Sequence, residues 1–229
     1  MKLAFAILLA LALGGAANAS EPADTKTGSR VDPNLRPVVN ARGNADQLVY
    51  RFSECAAARR TSRVKAMLDA RTDTAYKKEY AALYDIQRCD FGGYGDADTF
   101  KINADRGVLR GLLAEALIKQ SAAVAVAPLP GQRVYARDWY EMTGRPRPLD
   151  EMATCVADID PAGISALLHT PLGGKEEGAA IGAISPSLGT CLAVGYKLSA
   201  NALSLRTALA EGLYHRMYDA PPKSVEAAK

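Results

Sequence analysis

The sequence is poor in the residues from which most compact catalytic and metal sites are built. It has two histidines, four cysteines and one tryptophan in 229 residues. Four cysteines are too few for a knottin-like scaffold, and their spacing is too wide for a ribbon-type zinc site. No Cys-x-x-Cys occurs, which excludes a thioredoxin-like motif and covalent haem attachment. Beyond the N-terminus there is no 18-residue apolar run, so a polytopic membrane protein is excluded. Neither sign of charge dominates: 28 basic residues face 25 acidic ones, a formal +3, far from a nucleic-acid footprint. With 48% hydrophobic and 23% charged residues, the composition is that of a globular protein, neither disordered throughout nor collagen-like.

The N-terminus has the layout of a secretory signal peptide. Met1-Lys2 gives a positive start, Leu3 to Leu13 is an apolar stretch, and Ala17-Asn18-Ala19 is a small-x-small cleavage site. An eleven-residue helix spans about 16 Å against a bilayer core of about 30 Å, so the stretch is too short for an anchor. Residues 1–19 are therefore expected to be removed, leaving no transmembrane segment. Loss of Lys2 lowers the formal charge from +3 to +2. The expected location is periplasmic or secreted, an oxidising setting in which cysteines pair.

The body reads as one motif used twice. Residues 100–118 align with 196–214 at a constant offset of 96, with eight identities in nineteen places. The identities include Leu109/Leu205, Arg110/Arg206, Leu113/Leu209 and Glu115/Glu211. Upstream, Cys55 matches Cys155 and Ala66-Met67-Leu68 matches Ala166-Leu167-Leu168 at an offset of 100. Cys89 matches Cys191 at 102, and the segment 90–99 is a surface insertion.

Each copy has helical periodicity. Leu48, Phe52 and Cys55 place one apolar stripe on a helix. Thr61 or Ser62 is expected to cap a second helix through Leu68, and Asp73 or Thr74 a third carrying Tyr76, Tyr80 and Leu83. Phe100-Lys101-Ile102 alternates as a brief extended segment would. Asn103 or Asp105 caps a fourth helix whose stripe is Leu109, Leu112, Leu113, Ala116 and Leu117. In the second copy Met152, Cys155, Val156 and Ile159 form the first stripe, and Asp160-Pro161 is a specific helix start. Lys175 to Ile184 is expected as the third helix, ended by Ser185-Pro186, and Leu205 to Met217 as the fourth.

The expected fold is all-α: two tandem, pseudo-symmetric, disulfide-stapled repeats of about four helices each, packed as one domain. The organisation is a signal peptide (1–19), a disordered leader (20–44), repeat 1 (45–120), a proline-rich connector (121–149), repeat 2 (150–219) and a disordered tail (220–229). Of the three connectivities, only Cys55–Cys89 with Cys155–Cys191 closes each copy identically. Such loops stabilise a fold by about 3–4 kcal/mol each in the chain-entropy model. Free buried cysteines are the rival reading.

The search for chemistry returns little. His169 follows Leu167-Leu168 at a helix end, where histidines bond free carbonyls. His215 stands four residues after Glu211, as Lys119 does after Glu115, the spacing of a helix-surface charge pair. Neither histidine has metal-motif spacing, and no metal or cofactor is implied. Gly163-Ile164-Ser165-Ala166-Leu167 lacks the second glycine of a nucleophile elbow. Ser62-Arg63-Val64-Lys65 has the Ser-x-x-Lys spacing, but no Ser-Asp-Asn follows it. Gly92-Gly93-Tyr94-Gly95 lacks the Gly-Lys-Ser/Thr of a phosphate loop. Asp96-Ala97-Asp98 lacks the glycine and glutamate that complete a calcium loop.

Arg110/Glu115 and its repeat Arg206/Glu211 form the most informative polar feature. Five residues turn a helix through 500°, so each pair lies about 140° apart and flanks the leucine stripe. Structural salt bridges between neighbours are one reading. Glu115 and Glu211 facing each other across a cleft as an acid/base pair is the other. Trp139 and Tyr140 in the connector are either a plug between the copies or a contact surface for a partner. Charge is uneven: residues 51–88 carry a net +4 and residues 150–219 a net −4. The leading expectation is a non-catalytic envelope interaction or scaffold module whose partner is an envelope protein. The alternative is an envelope hydrolase or small-ligand binder that uses the Arg/Glu positions.

Overall fold

The structure, a computed structural model, describes residues 30–31, 45–83, 102–121, 126–132 and 135–219. The expected signal peptide, most of the leader, Cys89, the 90–99 insertion and the tail lie outside the described residues. Among the described residues, eight α-helices account for nearly all regular structure. They are α1 (Ala45–Arg59), α2 (Thr61–Leu68), α3 (Asp73–Leu83), α4 (Arg106–Gln120), α5 (Arg147–Ile159), α6 (Pro161–Leu168), α7 (Lys175–Cys191) and α8 (Ala202–Tyr218). The all-α expectation holds. The sole extended pairing among the described residues joins β1 (Arg30–Val31) to β2 (Ile102–Asn103), antiparallel, with Val31 opposite Ile102. Of the expected segment at 100–102, Ile102 belongs to it, and Phe100 and Lys101 lie outside the described residues.

The core forms around α4 and α8. In α4 every residue from Gly107 to Ile118 is buried, and in α8 every residue from Leu205 to His215. A helix with no solvent face must be covered on all sides. Here α4 packs on α8, α1 covers α4, and α5 covers α8. The short helices α2 and α6 lie against α4 and α8 respectively, and α3 and α7 lie outside them.

Local chemistry sets several of the starts. The Asp105 carboxylate accepts hydrogen bonds from the Gly107 and Val108 N–H groups, which satisfies the free donors of the first turn of α4. Asp160 does the same for Gly163 N–H ahead of Pro161, and Asn201 for Ser204 N–H. Two other expected caps are one residue out of place. Thr61 is already inside α2, where its hydroxyl donates to Ala57 O. Thr72, rather than Asp73 or Thr74, accepts from Ala75 N–H at the start of α3.

The expected end at Ser185-Pro186 is wrong: α7 continues through Pro186 to Cys191. A proline costs a helix one N–H bond, but Gly182, whose carbonyl loses it, is exposed to water. Beyond the proline, burial of Leu188 and the Cys155–Cys191 disulfide hold the chain down. The Cα atoms of that disulfide are 5.6 Å apart. Cys55 is also disulfide-bonded; its expected partner Cys89 lies outside the described residues.

Helix α5 begins at Arg147, within the stretch expected as connector. The connector is packed. Tyr135, Trp139 and Tyr140 form a small buried cluster with Cys155, and Cys191 lies against it.

Candidate functional site

The four charged positions singled out by the repeat converge, but across the two halves of the chain. Arg110 Nε donates to Glu211 Oε1 at 2.7 Å, and Arg206 Nε donates to Glu115 Oε2 at 2.8 Å. All four side chains are at most 1% exposed. The 140° separation within each helix is why neither arginine meets the glutamate of its own helix.

Each arginine also closes the C-terminal end of a short helix in its own half. Arg110 donates to the carbonyls of Met67 and Leu68 at 2.8 Å each. Arg206 donates to the carbonyls of Leu168 and Thr170 at 3.0 Å each. Those carbonyls stand at or just past the helix ends, where the negative end of the helix dipole lies, so a guanidinium is the natural donor.

Three further buried groups, Arg145, Asp150 and Glu177, join the network, and the sequence reading missed them. Arg145 bonds Asp150 and the second oxygen of Glu211. Glu177 accepts from Arg206 at 2.9 Å. Lys119, partly exposed, adds the i,i+4 pair that its spacing suggested, reaching Glu115 at 2.8 Å. Four cations, Arg110, Lys119, Arg145 and Arg206, thus face four carboxylates, Glu115, Asp150, Glu177 and Glu211. Burial alone would raise the Glu211 carboxyl, but Arg110 and Arg145 reverse this and hold it well below the usual range. Burial wins at Asp150, whose carboxyl is raised despite Arg145. Removing one member of such a set leaves its partner charged and buried, which costs about 3–5 kcal/mol. The paired-carboxylate cleft is not formed: Glu115 and Glu211 are enclosed and bonded to arginines.

His215 is not a surface residue. It is 4% exposed, and its ring stacks on Trp139 with centroids 4.4 Å apart. Nδ1–H donates to Asp219 at 3.0 Å, and Nε2 lies 3.8 Å from Glu211 Oε1. Its surface-pair reading fails because the connector lies over this face of α8. His169 does what its position suggested, with Nδ1 2.7 Å from Ser165 O at the end of α6.

Trp139 and Tyr140 are buried, so neither is an exposed contact surface. Beside them the connector roofs a cavity of about 630 Å³. Its walls come from Leu129 to Gln132, from the Ala136–Trp139 stretch, from α5 and α8, and from Arg71 after α2. Asp69, His215 and Asp219 bring one potential metal-ligand atom each within 4.8 Å of one another. His215 Nδ1 is already committed to Asp219 there, and Lys65 and Arg71 border the group.

One exposed apolar feature stands out. Val194, Tyr196 and Leu198 are 94%, 56% and 39% exposed. They lie on the loop between Cys191, tied to Cys155, and Asn201, the cap of α8. The sequence signal was available, since three large apolar residues alternate within five positions.

Comparison with family models, with curated proteins and with solved structures finds no match for this chain.

Proposed function

We propose that the protein is a non-catalytic, extracytoplasmic helical-repeat module that works by contacting an envelope protein partner. In this reading an ancestral stapled bundle was copied in tandem, and the copies pack about a pseudo-twofold axis between α4 and α8. The reciprocal exchange supports it, because Arg110 with Glu211 becomes Arg206 with Glu115 under the offset of 96. An isologous contact is self-complementary in this way. The signal-like N-terminus and the disulfides agree with an oxidising destination.

The observation that carries the functional reading is the loop of Val194, Tyr196 and Leu198. Single exposed apolar residues are ordinary, but neighbouring ones on an anchored loop mark a contact surface. Meanwhile the charged residues that might have served chemistry are engaged in bracing the core.

The test uses the secreted protein as bait on envelope extract. The wild type should retain a partner that Val194→Ser/Tyr196→Ser/Leu198→Ser loses, with both proteins melting at the same temperature. Retention of the same partner by the triple variant contradicts the reading.

A further inference from the structure

The cavity under the connector has the volume of a small-molecule site, within the usual range of about 300–1,000 Å³. Its charges are not mutually satisfied. Asp158 takes the Tyr135 hydroxyl at 2.9 Å and faces Arg216 Nε at 3.0 Å. Asp219 takes His215 Nδ1–H. Two guanidinium groups are left over. Among the described residues Arg71, which is exposed, donates to the carbonyls of Leu68 and Ala70 at 3.4 and 3.5 Å, and Arg137 donates to that of Ala136 and lies over the Tyr135 ring, 5.5 Å from its centroid. Neither has a carboxylate within 4.0 Å among the described residues, though both act on the Asp219 carboxylate from farther away. Asp138 is the remaining acid on the wall, and it is exposed.

Two ring nitrogens on the inner wall are also unbonded, and that of Trp139 is a donor. Trp139 Nε1 and His215 Nε2 are buried there without a hydrogen-bond partner. A buried polar group left unbonded is uncommon and calls for an explanation. The outer wall is apolar and open, with Leu129 and Pro130 exposed.

We propose that this cavity binds a small carboxylate with an apolar body. Its charged end lies between Arg71 and Arg137, and its body lies against Leu129 and Pro130 over the Trp139–His215 stack. A guanidinium binds carboxylate through charge-assisted, frequently bidentate hydrogen bonds, which sets the preference for an anion. The two arginines come from different parts of the chain, one after α2 and one in the connector, so the ligand bridges the first half of the chain to the connector. No residue of the loop at 194–198 lines the cavity, and the site does not depend on the partner reading.

Trp139 is the only tryptophan in the chain, so its emission reports on the cavity directly. Benzoate is the probe, and benzamide is the neutral control of nearly equal shape. Fluorescence and calorimetric titration of the intact protein should give saturable benzoate binding, at least about tenfold tighter than benzamide. Arg71→Gln/Arg137→Gln should weaken benzoate by about tenfold or more and leave the melting temperature unchanged. Absence of saturable benzoate binding by both methods overturns the proposal. Equal affinity for benzamide, or undiminished binding by the double variant, overturns it as well.

Discussion

Gly111 of α4 and Thr207 of α8 touch between the two central helices. A Cβ placed on Gly111 would stand 2.3 Å from Thr207 Cβ and 2.5 Å from its Cα. The two residues are also equivalent under the offset of 96. A residue that meets its own counterpart lies where an internal twofold axis would pass, and glycine there lets the backbones approach.

The first prediction contrasts two kinds of glycine. Gly111→Ala must push α8 away from α4, and a loss of about 2–3 kcal/mol is expected, as for other overpacked cores. Gly178→Ala and Gly189→Ala lie in α7 with nothing within 4 Å of the new Cβ. Each should instead stabilise by about 0.5–1 kcal/mol, because alanine is the better helix former. Urea denaturation of the three variants checks both signs.

Cys155 and Cys191 close a loop with a sequence separation of 36. Cys155→Ser/Cys191→Ser should lose about 4 kcal/mol on chain entropy. The loss should exceed the entropic figure, because the Tyr135–Trp139–Tyr140 cluster packs on the same sulfurs. The effect should appear in Trp139 emission as well as in the denaturation midpoint. A midpoint unchanged from the wild type contradicts the assignment of this bridge as a staple.

Stability should fall on acidification, and Glu211 should supply much of the fall. In the unfolded chain its carboxyl titrates normally, near 4.3. In the folded protein Arg110 and Arg145 hold it lower, against the upward pull of burial. Between those two values the unfolded state binds a proton that the folded state does not. The stabilisation is therefore present above about pH 5 and is lost as pH falls towards the folded value. Asp150 acts with the opposite sign, since burial raises its carboxyl, and offsets part of the trend. Urea midpoints measured from about pH 7 down to about pH 3 should fall, and fall less steeply in Glu211→Gln.

Local signals in the sequence carried much of this fold. Asp105, and Asp160 followed by Pro161, start helices by bonding their own first turns, and such starts are readable because everything needed lies within four residues. The stripe from Leu109 to Leu117 was readable for the same reason. Pro186 misled because its helix is held together by distant contacts, Leu188 with the core and Cys191 with Cys155. The Arg/Glu spacing showed that neither pair could close within its helix, but not which charge lay opposite. Arg145 and Glu177 left no trace, since nothing local distinguishes a connector arginine that reaches Glu211 from 66 residues away. His215 resembled an exposed pair because helix periodicity cannot show that a proline-rich connector lies over it.

The central claim is that the charges between α4 and α8 clamp the two halves of the chain together. A double-mutant cycle on Arg110→Met and Glu211→Gln, read by urea denaturation at neutral pH, tests it most directly. The account predicts that each single variant loses about 3–5 kcal/mol and that the pair couples by about 2–3 kcal/mol, because the second change removes a charge already stranded by the first. Single losses below about 1 kcal/mol that add to within about 0.5 kcal/mol would contradict it.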